Sequence, residues 1–189
     1  MTIPQGTELR SRLLESVTGA AVPVPAPDAL VHLQFRRFAG CPVCNLHLRS
    51  IVTRHGEIEA AGIREVVVFH SPAEELREHV ADLPFAVVAD PGKRLYREFG
   101  VESAKRSVLD PRVWFHILRA LARSLALLLR GRAKAPSLSP AGGRYGLPAD
   151  FLVTPDGVVA ASKYGRHAYD QWTVDELLTL AEEAHRRTT

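Results

Sequence analysis

The two cysteines of this 189-residue chain fall three positions apart, in Gly40-Cys41-Pro42-Val43-Cys44-Asn45. Just before them Val31-His32-Leu33-Gln34-Phe35 alternates as a strand does, and from Val43 to Ile58 apolar residues recur at helical spacing. Cys41 therefore stands at the N-cap of a helix, with Pro42 at the first helical position, where its missing N–H costs nothing. The free N–H groups of Val43 and Cys44 and the positive end of the helix dipole favour a thiolate at Cys41, which predicts a pKa below that of a free cysteine. Cys44 lines up with Leu48, Ile51, His55 and Ile58 on the apolar stripe that packs on a sheet. The pattern predicts an exposed nucleophile, Cys41, that attacks a disulfide or a peroxide, and a buried resolving thiol, Cys44, that then closes an intramolecular disulfide.

A rival chemistry uses Cys41, Cys44 and His47 as metal ligands. Tetrahedral zinc needs a fourth ligand, and the sequence has no second Cys/His cluster at ligand spacing, so neither a metal nor another cofactor is expected.

The elements around the motif are legible in part. Residues 8–18 read as a short helix, and Ala21-Val22-Pro23-Val24-Pro25-Ala26-Pro27 as an extended lead-in. Glu65-Val66-Val67-Val68-Phe69-His70 is the continuous apolar run of a central parallel strand, which completes a βαβ unit with the motif helix. Ser71-Pro72-Ala73-Glu74 starts a helix running to about Ala81. Phe85 to Ala89 is a further strand, Asp90-Pro91-Gly92 a turn, and Lys93 to Phe99 a short helix. A helix from about Pro111 to Leu129 and a loop over 136–143 break the alternation. Asp150 to Val153 and Val158 to Lys163 then form an antiparallel hairpin across Thr154-Pro155-Asp156-Gly157. A closing helix runs from Thr173 to about Arg187, with Thr173 and Glu176 as a capping box and Leu177, Leu180 and Ala184 facing inward.

Length and composition fit one domain over 1–189, with a lead-in over 1–29 and an insertion over 101–147. An apolar fraction of 46% beside 24% charged residues excludes wholesale disorder. The net charge of +3 comes from interspersed residues rather than a basic tract, which argues against a nucleic-acid partner. Met1-Thr2-Ile3-Pro4-Gln5-Gly6 lacks the basic start and apolar run of a secretory signal, and no stretch has the ~18 uninterrupted apolar residues of a membrane span. A cytoplasmic protein is expected, where a structural disulfide is disfavoured and paired cysteines read as catalytic.

The run from Phe35-Arg36-Arg37-Phe38-Ala39-Gly40 through Cys41-Pro42-Val43-Cys44 to Arg49 resembles the peroxiredoxin-like branch of the alkyl hydroperoxide reductase and thiol-specific antioxidant family. Leu83-Pro84-Phe85-Ala86-Val87-Val88-Ala89-Asp90, followed by Leu95 to Val101, is similar to that family's succession of strand, aspartate and helix. With the hairpin Gly146 to Tyr164, the likeness spans roughly residues 20–165. It implies an α/β, thioredoxin-like fold, a central mixed sheet flanked by helices with a helical insertion before the C-terminal β-hairpin. It also places Cys41 at the peroxidatic cysteine. The implied reactants are a peroxide or disulfide substrate and a thiol reductant, of thioredoxin type or of low molecular weight.

Two family residues are missing. Phe38 occupies the position of the threonine that orients the peroxide, and Pro148 that of an arginine at the start of a strand. Losing both polarising groups predicts slow peroxide turnover. Pro148 resembles instead the cis-proline of thioredoxins, which predicts a cis Leu147–Pro148 bond lying against Cys41 and a backbone edge for a peptide substrate.

This topology gathers Arg37, Phe38, His70, Ser71, Tyr164, Arg166 and His167 around Cys41. Arg166 or His167 is the expected partner of the thiolate or of an anionic substrate. His55 reads as a core histidine, and His47 and Arg49 as solvated. The helix from Val113 to Leu129 presents Val113, Ile117, Leu121, Leu125 and Leu128 on one side and His116, Arg119, Arg123 and Arg130 on another. It suits packing on the domain, a homodimer contact or, less readily, a membrane surface. A non-catalytic module that binds a partner through the 101–147 insertion is the alternative from a different functional class.

Overall fold

The computed structural model describes residues 2–80, 83–101, 118, 122, 143 and 146–188. Apart from Leu118 and Ala122, both helical, the segment expected to form the helix from Pro111 to Leu129 lies outside the described residues.

The centre is a five-stranded mixed sheet. In chain order its strands are β3 (Leu30–Arg36), β4 (Ile63–Phe69), β5 (Ala86–Ala89), β6 (Ala149–Val153) and β7 (Val159–Tyr164), and in space they run β5-β4-β3-β6-β7. β3 pairs in parallel with β4 and antiparallel with β6, while β6 and β7 form the expected hairpin. Helix α1 (Pro42–Thr53) and the short α2 (His55–Ala60) fill the β3–β4 crossover. Then come α3 (Ala73–Val80), α4 (Arg94–Glu98) and α5 (Val174–Thr188). The mixed sheet with flanking helices is the α/β architecture anticipated above. Among the described residues no helix is long and apolar enough to cross a membrane.

Local signals placed several boundaries. The Asp90 carboxylate accepts the N–H groups of Arg94, Leu95 and Tyr96 at 2.9, 2.8 and 3.3 Å, which starts α4. Thr173 N donates to Glu176 Oε2 at 2.7 Å and Glu176 N to Thr173 Oγ1 at 3.2 Å, the capping box of α5.

Two expectations fail. Residues 8–18 are not helical: β1 (Arg12–Glu15) pairs antiparallel with β2 (Ala21–Val24), because Gly19 at φ 85° turns the chain and β2 offers a free edge. The helix read as continuous from Val43 to Ile58 breaks at Arg54, which leaves helical geometry at φ −112° and ψ 20°. There the Arg54 guanidinium bridges Glu57 and Asp175, joining the break to the start of α5.

Every residue of β3 is buried. Its apolar face, Val31, Leu33 and Phe35, packs with Tyr96, Phe99 and Phe151. Its other face carries His32, Gln34 and Arg36, all without solvent exposure. Their partners come from the neighbouring strands. His32 Nδ1 lies 3.0 Å from Glu65 Oε1 and its Nε2 3.3 Å from Asp150 Oδ1. Arg36 Nη2 donates to Asp150 Oδ1 at 2.7 Å, and Gln34 links Arg36 to Glu65. Asp150 Oδ2 also accepts Trp172 N at 3.3 Å. Buried charge is tolerated only when paired and hydrogen-bonded in this way.

Candidate active site

Cys41 is reached through a loop fixed at both sides. After β3, Arg37 O accepts His70 N at 3.1 Å, Ala39 N donates to Ser71 Oγ at 3.0 Å, and Cys41 N donates to Phe38 O at 3.2 Å. Gly40 adopts φ 70°, and a Cβ there would lie 3.0 Å from the His79 ring, so both conformation and space require glycine. The chain then enters α1 with Cys41 as N-cap and Pro42 in the first turn, as anticipated.

Three donors converge on Cys41 Sγ. Arg37 Nη2 lies 3.0 Å away, Cys44 N 3.3 Å and Cys44 Sγ 2.7 Å. Both thiols are free. The Sγ–Sγ separation leaves only a small movement to the ~2.05 Å of a disulfide.

The expected division into an exposed and a buried cysteine is not found: Cys41 is 0% and Cys44 1% exposed. Phe38, Val43 and Ala168 close over the pair, with Leu46 and Tyr169 at the margin. Ala168 and Tyr169 come from the far end of the chain, so α1 alone gave no sign of this cover.

Burial also changes the expected titration of Cys41. Its thiol is pushed well above the usual range, first by burial, then by the hydrogen bond with Cys44, against the pull of the Arg37 charge. For Cys44 burial again opposes ionisation, but the hydrogen bond from the Cys41 thiol and the Arg37 charge outweigh it and bring the value down to about 6. The hydrogen bonds point the other way, with the donors gathered on Cys41. Both facts describe one charge and one proton shared across 2.7 Å, so the pair ionises once easily and a second time with difficulty.

The remaining expected neighbours divide. Arg37 holds the sulfur, the role assigned in the sequence to Arg166 or His167. The Arg166 side chain is 82% exposed and pairs with Asp170, while His167 Nδ1 accepts Tyr169 N at 3.3 Å. Tyr164 lies on the opposite sheet face, donating to Phe99 O at 2.7 Å. The Leu147–Pro148 bond is trans, the cis X-Pro bond among the described residues being Val24–Pro25. Pro148 packs on Gly165, where a Cβ would come within 2.7 Å of both Pro148 Cγ and Asp170 O. It is Gly146, two residues earlier, that abuts Arg37 and His70: a Cβ there would lie 3.4 Å from Arg37 Cγ and from His70 Nε2.

His47, expected to be solvated, is buried with its ring edge-on to Tyr169 at 6.3 Å. Its Nε2 has no partner, and burial together with the Arg36 charge lowers its pKa to about 3. It does not join the sulfurs in a ligand set, since among the described residues no three His, Cys, Asp or Glu side chains are grouped to hold a metal ion. His55, the expected core histidine, is only partly covered and sits near Glu59 and Phe85.

These histidines set a pH dependence of stability. His32 is raised to about 9: burial opposes its charge, but Glu65 and Asp150 more than compensate. Its contribution is fully present below the unfolded value of 6.5 and is lost as pH rises through about 9. His47, at about 3, and His70, lowered to about 4 chiefly by burial, act oppositely. As pH falls below 6.5 the unfolded chain binds protons that these buried rings refuse, so their contribution disappears towards pH 4 and 3. Urea unfolding at about pH 5, 7 and 10 should give the highest midpoint at about pH 7, with losses on the order of 3 kcal/mol at the extremes. A midpoint independent of pH would contradict these assignments.

With this geometry established, a family model described as AhpC/TSA antioxidant enzyme matches residues 50–167, more than half of the chain and beginning just after the cysteines. No curated protein sequence matches at a significant level. Among solved structures the chain is similar to the peroxidoxin BcpB from Mycobacterium tuberculosis, with TM-score 0.67 and 14% identity over 96% of this chain and 97% of that one. A cysteine-to-serine mutant of peroxiredoxin 6 of Arenicola marina gives TM-score 0.70 and 14% identity over 99% and 76% of the two chains. StoA from Bacillus subtilis gives TM-score 0.56 and 14% identity over 95% and 98%. At these identities the likeness is one of fold.

Proposed function

The chain belongs to the AhpC/TSA antioxidant enzyme family, and on that premise we propose that it is a thiol-dependent peroxidase working through Cys41 and Cys44. The observation that carries this reading is the convergence of Arg37 Nη2, Cys44 N and the Cys44 thiol on Cys41 Sγ. The Arg37 charge acts on both sulfurs, but Cys41 alone is the N-cap of α1 and accepts the Cys44 N–H, so Cys41 is the nucleophile.

In the first step the Cys41 thiolate attacks the nearer peroxide oxygen. The O–O bond breaks, the sulfur is oxidised to a sulfenic acid, and the distal oxygen leaves with a solvent proton as water or an alcohol. The Cys44 sulfur then attacks Cys41 Sγ, water departs, and a disulfide forms. Two electrons and two protons from a thiol reductant, of thioredoxin type or of low molecular weight, restore the dithiol.

A small oxidant suits the site better than a protein disulfide. Both sulfurs are enclosed, and the trans Leu147–Pro148 bond removes the peptide-binding edge that a cis bond there was expected to offer.

Free-thiol counts before and after one equivalent of hydrogen peroxide test the proposal. The wild type should lose both thiols to an intramolecular disulfide, Cys44→Ser should stop at a sulfenic acid trapped by dimedone, and Cys41→Ser should keep its thiol. Rapid oxidation of the Cys41→Ser variant would refute the assignment.

A further inference from the structure

His70 is an unused buried group beside this site. It follows the last residue of β4, is 1% exposed, and neither Nδ1 nor Nε2 has a hydrogen-bond partner. Leaving a buried polar ring unsatisfied is costly, and such groups concentrate where a ligand completes them. The ring is held in place: its backbone N–H is bonded to Arg37 O, and Tyr96 meets it edge-on at 5.6 Å. Tyr96 is itself fixed by hydrogen bonds to Arg36 O and Val68 O.

Arg37 shows the same incompleteness. One of its terminal nitrogens serves Cys41 Sγ, yet its Nε is buried and without a partner. His70 and Arg37 meet at Gly146, where an added Cβ would stand 3.4 Å from His70 Nε2 and 3.4 Å from Arg37 Cγ. Two side chains with unsatisfied buried nitrogens, His70 and Arg37, thus meet beside one glycine, and Arg37 reaches the sulfur through Nη2.

Resting on the peroxidase reading above, we propose that His70 and Arg37 Nε form the donor wall that binds the peroxide and stabilises its distal oxygen as the O–O bond breaks. Phe38 and Pro148 carry no side-chain donor. His70, entering from the end of β4, and Arg37, from the end of β3, provide the polarising groups from other positions. The ring stays neutral at neutral pH, since burial and the Lys93 charge lower its pKa to about 4. Its role is therefore to donate one N–H to the developing oxyanion, while the proton that completes the alcohol or water comes from solvent.

Separating the reaction with peroxide from the reactivity of the sulfur tests this. In a Cys44→Ser background, the second-order rate of Cys41 oxidation by hydrogen peroxide is measured beside the pH profile of its alkylation by iodoacetamide, which needs the thiolate but no oxygen donor. His70→Leu should slow oxidation by about 100-fold, the scale of losing one preorganised donor, and leave the alkylation profile in place. His70→Gln, which keeps an N–H, should recover much of the rate. Gly146→Ala, whose added Cβ would stand 3.4 Å from His70 Nε2 and from Arg37 Cγ while leaving both donor side chains present, should slow oxidation by at least about tenfold, and it serves if His70→Leu does not fold.

Oxidation and alkylation falling together in His70→Leu, or a Gly146→Ala rate equal to that of the parent, would overturn the proposal. Should the parent itself react with peroxide no faster than free cysteine, the peroxidase reading fails and this role with it. A fast parent matched by its variants would remove His70 alone.

Discussion

Replacing Asp150 with alanine is expected to lower the stability of the protein by about 3–5 kcal/mol, a large share of what a domain of this size possesses. Asp150 is fully buried, and Arg36 and His32 both point at its Oδ1 from β3. Despite burial its carboxyl is held well below the ordinary range, first by the Arg36 charge and then by the His32 hydrogen bond. Without it, Arg36 keeps a charge in a dry layer between the sheet and α1, and Trp172 N loses its acceptor. Urea midpoints followed by far-UV circular dichroism measure the loss. Asp150→Asn keeps the shape and an acceptor but not the charge, and should fall between wild type and alanine. A midpoint in Asp150→Ala equal to that of wild type would mean the buried cluster contributes no net stability.

Arg37→Met should have the largest effect on the chemistry while leaving the fold intact. The guanidinium lies 3.0 Å from Cys41 Sγ, where the attraction between opposite charges is on the order of 5 kcal/mol at an effective dielectric constant of about 20. Losing even half of that moves the first ionisation of the thiol pair up by about two pH units. A pair that ionises at about 6 would then be mostly protonated at neutral pH. Alkylation at about pH 7 should drop by about tenfold, peroxide oxidation, which also loses a donor at the site, by more, and the alkylation profile should move bodily to higher pH. Arg37→Lys keeps the charge without the forked donor and should recover the profile in part. An unshifted profile in Arg37→Met would show that the helix N-terminus and the Cys44 N–H are sufficient to hold the thiolate. The two variants thus probe different layers, since Arg37 acts on the sulfur and Asp150 on the support beneath α1.

Much of this protein is written locally in its sequence. Cys41 as N-cap with Pro42 behind it, the turn at Asp90 before α4, the Thr173–Glu176 box and the β6–β7 hairpin were all legible. Each depends on residues within a few positions of one another, so their chemistry and spacing suffice to specify the conformation. Tertiary structure decided the environment. Ala168 and Tyr169, more than a hundred residues beyond Cys41, enclose the dithiol and reverse the expected exposure. Arg37 rather than Arg166 reaches the sulfur because the β3 loop is pinned to His70 and Ser71, while Arg166 is turned outward onto Asp170. The polar face of β3 is buried because Glu65 and Asp150 arrive from adjacent strands, and within 8–18 Arg12–Glu15 pair as β1 because β2 gives them an edge. Burial, pairing and pKa are set by whatever the fold brings near in space, so a local reading identified the reacting atoms while only the packed chain fixed the groups that control them.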